Sequence, residues 1–453
     1  MSFEWVSTVY GELPAKLRME KLSAICGRDG VQTGPFGSQL HKEDYVPKGT
    51  PIITVEHLGE NRIVHENLPL VSDADKIRLS KYLLQAGDIV FSRVGSVDRR
   101  ALVQTKEDGW LFSGRCLRVR PNQAVVDSQW LSYFFGLPGF KNYIRSIAVG
   151  ATMPSLNTRI LSDLPIYFPT LDVQKNAAET LGCLDDRIAL LRETNATLEA
   201  IAQSLFKSWF VDFDPVRAKL EGGVPAGMDD ATAKLFPDSF DESELGTVPK
   251  GWQIATLADA FDINPKRSLK KSVSAPYLDM ASLSTSGHCV EAPIQRDMSS
   301  GAKFRNGDTL LARITPCLEN GKSAFVDFLE DDQVGWGSTE FLVLRPKKPL
   351  PEYFGYLLCR HPEFREYAIQ SMSGTSGRQR VQNDVLGRYM LAVPDENVAS
   401  AFARVVELIQ KSIAVNHKTG RSLAALRDTL LPRLISGQLR LPEAETILEE
   451  AIA

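Results

Sequence analysis

"QAGDIVFSRVG", Gln85–Gly95, and "RNGDTLLARIT", Arg305–Thr315, share one pattern: a Gly-Asp pair, a short strand-like run, then an arginine. Gly87-Asp88 and Gly307-Asp308 are separated by 220 residues, and the match extends in both directions. "CLRVRP" ending at Pro121 pairs with "FLVLRP" ending at Pro346, "GFKNYI" at Gly139 with "EFREYA" at Glu363, and "LPIYFP" ending at Pro169 with "YMLAVP" ending at Pro394. Upstream, "GELPAKLRMEKL" at Gly11 resembles "GTVPKGWQIATL" at Gly246. An internal repeat of this length sets the architecture before any single motif does. Two copies account for most of the chain.

Each copy changes period partway through. Its first part, about 160 residues, holds short apolar or alternating runs punctuated by Gly, Pro and Asn, the pattern of an α+β domain with short strands. From Leu181 the spacing becomes three and four: Leu181, Leu184, Ile188, Leu191, Asn195, Leu198, Ala202, Leu205. The second copy repeats this as Val406, Ile409, Ile413, Asn416, Gly420, Leu423, Arg427, Leu430. That is a coiled-coil seam. Ordinary amphipathic core helices share the pattern, but two such helices at equivalent positions, with few apolar residues off the seam, find their best partner in each other. The helix spanning about Leu181 to Trp209 would be about 40 Å long. With short connections the pair should run antiparallel, giving two similar globular domains, separated by the helices, with pseudo-twofold symmetry.

Composition bounds the rest. At 453 residues with 43% hydrophobic and 24% charged side chains, the chain is long enough for two or three domains of ordinary globular type. No apolar run reaches the roughly 20 residues of a membrane span, and the start lacks a secretory pattern, so a cytoplasmic protein is expected. Six scattered cysteines without a C-x-x-C pair read as free thiols, mostly buried, and no metal site is expected. The net charge of −4 averages unlike regions. Between Lys81 and Arg120 eight basic residues face four acids; between Glu221 and Leu245 seven acids face Lys234 alone. The segment 214–245, rich in Pro, Gly and acids, reads as an acidic linker, with a short helix started by Asp229.

"RITPCLENGKS", Arg313–Ser323, resembles two catalytic motifs without satisfying either. A phosphate loop needs glycine where Pro316 stands. A deaminase-type zinc site needs cysteine where Asn320 stands, together with an upstream H-x-E. No nucleophile elbow, H-E-x-x-H pair or Asn-Pro-Pro-aromatic run is present, and no catalytic residue is expected. The stretch lies where the first copy has "SRVGSVDRRAL", after the strand that follows Gly-Asp. Both are donor-rich loops. Ser38 and Gln39 in "QTGPFGSQLH", Arg93, Arg99, Arg100, Thr152 and Asn157 in the first copy, and Arg313, Asn320, Lys322, Thr375, Arg378 and Arg380 in the second are the candidate DNA contacts. Arginine suits phosphate and guanine, asparagine adenine. The competing reading is a set of solvated surface loops.

"TGPFGSQLH", "ARITPCLENGK", "LFKSWFVDFDPVRAKLEG", "LFPDSFDESELGTVPKGW" and "LRDTLLPRLISGQL", with the two-copy layout, resemble the specificity (S) subunits of Type I restriction-modification systems over nearly the whole length. The resemblance implies target-recognition domains at 1–169 and 246–394, a central conserved helical region at 170–213, the acidic linker at 214–245, and a C-terminal conserved helical region and tail at 395–453. Each domain would read one half of a bipartite DNA target. The helices, pairing through Leu181, Leu184, Ile188, Leu191, Leu198, Leu205, Val406, Ile409, Ile413, Leu423 and Leu430, would set the spacer and dock two methyltransferase (M) subunits. Two restriction (R) subunits would join them. The resemblance places S-adenosylmethionine in M, ATP and Mg2+ in the partner subunits, and no cofactor in this chain, which would be a recognition subunit of adenine-N6 methylation and ATP-dependent cleavage in host defence. Two rival readings are a stand-alone methyltransferase or nuclease, and a coiled-coil scaffold without DNA binding.

Overall fold

The structure, a computed structural model, describes residues 4–35, 39–290, 292–375 and 377–439. It is α+β and divides into two compact units, one of residues 1–187 with 422–453, the other of residues 188–421. Each unit therefore holds a β-rich domain and a portion of both long helices, Leu171–Phe210 and Glu396–Ile435.

In the first unit a four-stranded antiparallel sheet runs Cys26–Thr33, Cys116–Pro121, Ile89–Ser92, Arg100–Leu102. A second sheet runs Leu111–Phe112, Thr50–Ile53, Leu70–Val71, Tyr45–Val46, its first pair parallel. The other unit has a sheet of Phe261–Ile263, Phe341–Pro346, Thr309–Ala312 and Ser323–Phe325. Its companion is Ile294–Asp297, Ser274–Leu278, Gly335–Gly337 and Ala302–Phe304, with Ser274–Leu278 and Gly335–Gly337 parallel. Even the register repeats: Leu117 pairs with Phe91 as Leu342 pairs with Leu311. The inner strands Ile89–Ser92, Cys116–Pro121, Thr309–Ala312 and Phe341–Pro346 are nearly all buried, in keeping with their continuous apolar runs.

The repeated Gly-Asp pair is a structural device. Gly87 and Gly307 have φ of 93° and 85°, and an added Cβ would lie 2.5 Å from Gln123 Nε2 or 2.1 Å from Glu352 Oε2. The aspartate that follows closes the turn: the N–H groups of Gln85 and Arg305 donate to Asp88 and Asp308 at 2.8 Å. Both carboxylates are buried and paired with an arginine of the "RP" strand. Arg120 grips Asp88 with two bonds of 2.7 Å, whereas Asp308 shares Arg345 at 3.3 Å and Arg267 at 2.9 Å.

The long helices contain 40 residues each, about 60 Å at about 1.5 Å per residue, longer than the seam alone predicts. Before Leu181 the first helix continues because Gln174, Ala177 and Ala178 are buried in their own unit. Gln174 accepts from the Asp127 N–H at 2.8 Å and donates to the Pro169 carbonyl at 2.9 Å. The two helices pack together and run antiparallel. In the second unit Gly420 faces Leu191, Asn416 donates to Asn195 Oδ1 at 2.9 Å, Asn195 donates to the Ile413 carbonyl at 3.1 Å, and the Trp209 ring lies 5.5 Å from Phe402. Leu181, Leu184, Ile188, Leu191, Val406, Ile413, Leu423 and Leu430 are buried; Leu198, Leu205 and Ile409 are half-buried. The "LFKSWF" residues Phe206, Trp209 and Phe210 end the helix inside the second unit's core, against Trp252, Phe354 and Phe402.

Much of the acidic segment 214–245 is structured. It forms helices Asp214–Leu220 and Asp230–Leu235 and a strand at Phe240–Ser243, and Val216 and Phe236 are buried in the second unit's core. Asp229 caps the second of these helices by accepting from the Thr232 N–H at 2.8 Å. Burying two apolar side chains and satisfying the backbone offsets the ordering cost that its composition suggests would not be met. All six cysteines are free; Cys116 and Cys359 are buried, and Cys183 is exposed.

Candidate nucleic-acid interface

In the second unit, two loops far apart in sequence meet. The Arg313 carbonyl accepts from the Val381 N–H at 3.0 Å, and the Thr315 N–H donates to the Gln379 carbonyl at 3.1 Å, forming a bridge between Ile314 and Arg380. "TPCLENGK" folds as a tight turn in which the Asn320 N–H reaches the Pro316 carbonyl at 2.9 Å and Gly321 takes φ of 74°. Arg360 and Arg365 brace it from the neighbouring helices, donating to the carbonyls of Gly321 at 2.9 Å and Glu319 at 3.0 Å. Asn320, Thr375 and Arg378 are exposed. Lys322 is half-buried and donates to the Met280 carbonyl at 2.7 Å. Cys317 is half-buried within the turn.

Arg380 is more constrained. Its Nε and Nη2 clasp Glu340 at 2.6 to 3.0 Å, and Glu340 holds its place because its own carbonyl accepts from the Arg313 N–H at 3.0 Å. Hydrogen bonds from Arg380, with Arg313 nearby, hold the Glu340 carboxyl below the usual carboxylate range despite partial burial. Arg313 is half-buried, and its Nε is buried without a partner among the described residues.

The first unit makes the same junction from different side chains. The Arg93 carbonyl accepts from the Leu156 N–H at 2.8 Å, the Gly95 N–H donates to the Pro154 carbonyl at 2.9 Å, and Val94 bridges Ser155. The Arg93 N–H donates to the Arg115 carbonyl at 2.8 Å, as that of Arg313 does to Glu340. Thr152, Asn157 and Arg115 are exposed. Asn157 uses its Oδ1 to cap the helix Thr158–Ser162, accepting from the Ile160 N–H at 2.8 Å. Arg93 is half-buried and donates to the Gly114 carbonyl at 3.1 Å; half-buried Arg99 donates to the Leu58 carbonyl.

Three expected contacts stand apart. Arg100 is buried at 6% exposure, and its Nε donates to the Ser132 carbonyl at 2.8 Å, so it braces the domain from inside and presents nothing to a ligand. Burial lowers its pKa to about 10, leaving it charged at neutral pH. Gln39 is occupied, its Oε1 accepting from the Tyr82 hydroxyl at 2.7 Å and its carbonyl from Arg78 at 2.8 Å. Ser38 lies outside the described residues. Glu340 and Arg115 were missed by the sequence reading, although both directly precede the repeated "CLRVRP" and "FLVLRP" strands and align with each other.

Polar anchors also tie each domain to the helices within its own unit. In the first, the Tyr133 hydroxyl donates to Asp185 at 2.6 Å, and Arg427 donates to the other Asp185 oxygen at 2.7 Å. In the second, Tyr356 donates to Glu199 at 2.6 Å, and Gln410 donates to Asp327, which also meets buried His288.

Comparison with known proteins places these features. The profile described as Type I restriction modification DNA specificity domain matches residues 37–200. The HindI specificity subunit of Haemophilus influenzae is 24% identical over 84% of this chain and 92% of its own. The MjaIX specificity subunit of Methanocaldococcus jannaschii is 25% identical over 71% of both chains. The crystal structure of a Type I restriction-modification S subunit from M. genitalium shares the fold, with a TM-score of 0.56 at 14% identity over 92% of this chain and 96% of that one. With the repeated domains, the paired helices and relatives aligned along most of its length, the chain belongs to the family of Type I restriction-modification DNA specificity subunits.

Proposed function

We propose that the chain reads a bipartite double-stranded DNA target, each unit contributing the two-loop junction at Arg93/Leu156 or Arg313/Val381 to one half-site. The observation that carries this is one backbone junction built twice and dressed with different side chains, as two half-sites of different sequence require. Phosphate contacts fall to exposed cations such as Arg378 and Arg115, and base contacts to the more tightly held groups. In this reading the chain does no chemistry itself. Two methyltransferase subunits supply adenine methylation from S-adenosylmethionine, and two restriction subunits supply ATP- and Mg2+-dependent cleavage, all in the cytoplasm.

The paired helices set the spacer and dock the methyltransferase subunits. Val405, Leu408 and Val415 on one helix, with Leu190 and Ile201 on the other, leave apolar side chains exposed, which on a soluble surface suits a protein partner. Exchanging Gly11 to Pro169 for the matching domain of a relative, in complex with its methyltransferase subunits, should change one half of the methylated motif. A change in both halves would count against modular reading. Inserting four residues after Asn195 should alter the spacer and leave both halves intact.

A further inference from the structure

We propose that Arg380 reads a guanine in the half-site of the second unit, and that Glu340 is the positioning residue that aims it. This assignment rests on the DNA-recognition reading above. A guanidinium carries its five N–H donors in a planar fork with two usable edges. Glu340 takes the side edge, Nε with Nη2, through bonds of 2.6 to 3.0 Å. The end edge, formed by both terminal nitrogens, meets no other partner among the described residues, and the Arg380 side chain is 40% exposed. That edge matches the paired acceptors O6 and N7 of guanine in the major groove.

The carboxylate also argues against a phosphate as the ligand. A phosphate is bound by net positive charge, and a bidentate glutamate cancels that charge beside the arginine while fixing its direction. Direction without net charge is what a neutral base edge needs. The backbone supports the same aim from both sides: Arg380 bridges Ile314, and the Glu340 carbonyl is held by the Arg313 N–H. Exposed Arg378, two residues away, serves as the contrasting case of a loosely held cation suited to phosphate.

The other copy shows that the pair is a choice made on a common scaffold. At the position of Glu340 stands Arg115, whose carbonyl accepts from the Arg93 N–H at 2.8 Å, and at the position of Arg380 stands Ser155, bridged to Val94. A serine cannot reproduce the clasped fork. The first unit therefore lacks this clasped arginine, and the two half-sites should differ there.

The test uses the full chain in complex with the methyltransferase subunits of its own system, acting on plasmids that carry randomised inserts, with modified adenines mapped by sequencing. Glu340→Gln keeps the shape and loses the charged clasp; Arg380→Lys keeps the charge and loses the fork. Both should relax one position from guanine to several bases, only in the second unit's half, lowering discrimination there about ten- to a hundredfold, the range of one bidentate pair. The unaltered first half-site reports that each variant is folded. A motif left unchanged by both variants, or a loss of modification spread evenly over all sequences, would overturn the assignment. Absence of any sequence-specific modification or salt-dependent duplex binding by the wild-type complex would instead sink the DNA reading beneath it.

Discussion

The Tyr356 hydroxyl donates to Glu199 of the first long helix at 2.6 Å, inside a cluster where Tyr353 meets both Glu199 and His288. This joins the second domain to a helix through a charge-assisted bond in a dry setting, where such bonds contribute most and are costly to leave half-made. Tyr356→Phe should therefore lower stability by about 1.5–3 kcal/mol. Urea denaturation of the full chain, followed by tryptophan fluorescence, would read it; an unchanged midpoint would mean that water replaces the phenol at no cost.

His288 makes that cluster sensitive to pH. Burial opposes its charged form, but hydrogen bonds to Asp327 and Cys289 outweigh burial and raise its pKa to about 10. Because the folded value lies above the unfolded one, the stabilisation is complete below about pH 6.5 and is lost as the pH rises through about 10. The denaturation midpoint should fall between pH 7 and 10, and His288→Gln should flatten that part of the profile. Identical slopes for the two proteins would show that the imidazole is neutral in the fold.

The Asn195–Asn416 pair sits on a largely apolar stretch of the seam, where a polar pair fixes register at some expense of stability. Replacing both with leucine should raise the melting temperature. Within the assembled methyltransferase the same variant should broaden the distribution of spacer lengths modified, because slipped pairings no longer strand an amide. A lower melting temperature would show that the seam cannot accommodate the two leucines.

Two arginines, one exposed and one buried, should separate cleanly. Arg378→Ala, on an exposed loop, is expected to weaken duplex binding across all sequences and reduce the salt slope by about one, with little effect on melting. Arg100→Ala removes a buried donor to Ser132 and should lower the melting temperature while leaving the salt slope intact. The reverse pattern would exchange their roles.

Gly307→Ala puts a side chain on a backbone at φ of 85°, which L residues rarely adopt, and pushes aside the Glu352 carboxylate, whose Oε2 would lie 2.1 Å from the new Cβ. A loss of about 1–3 kcal/mol is expected, read by chemical denaturation. Gly87→Ala, 2.5 Å from Gln123 Nε2, should behave alike in the first unit. A neutral result at both would show that the repeated glycine is dispensable.

The repeat, the two long helices and the donor-rich loops were legible in the residues themselves, because periodicity and duplicated patterns are local signals that survive any change of surroundings. The helix starting at Asp230 followed from one capping residue. What a side chain faces is decided by partners distant in sequence, and there the residues alone ran out. Nothing around Arg99-Arg100 shows that the second of two adjacent arginines turns into the core towards Ser132, or that Gln39 is occupied by Tyr82. Nothing in the residues around Glu340 marks it out; folding brings it to Arg380, 40 residues away in the chain. The helices outran their seam for the same reason: Gln174, Ala177 and Ala178 are held by contacts with their own domain, which no heptad pattern records. Sequence determined which elements form and that they form twice; tertiary packing decided which of their charges are buried, which are clasped, and which stay exposed.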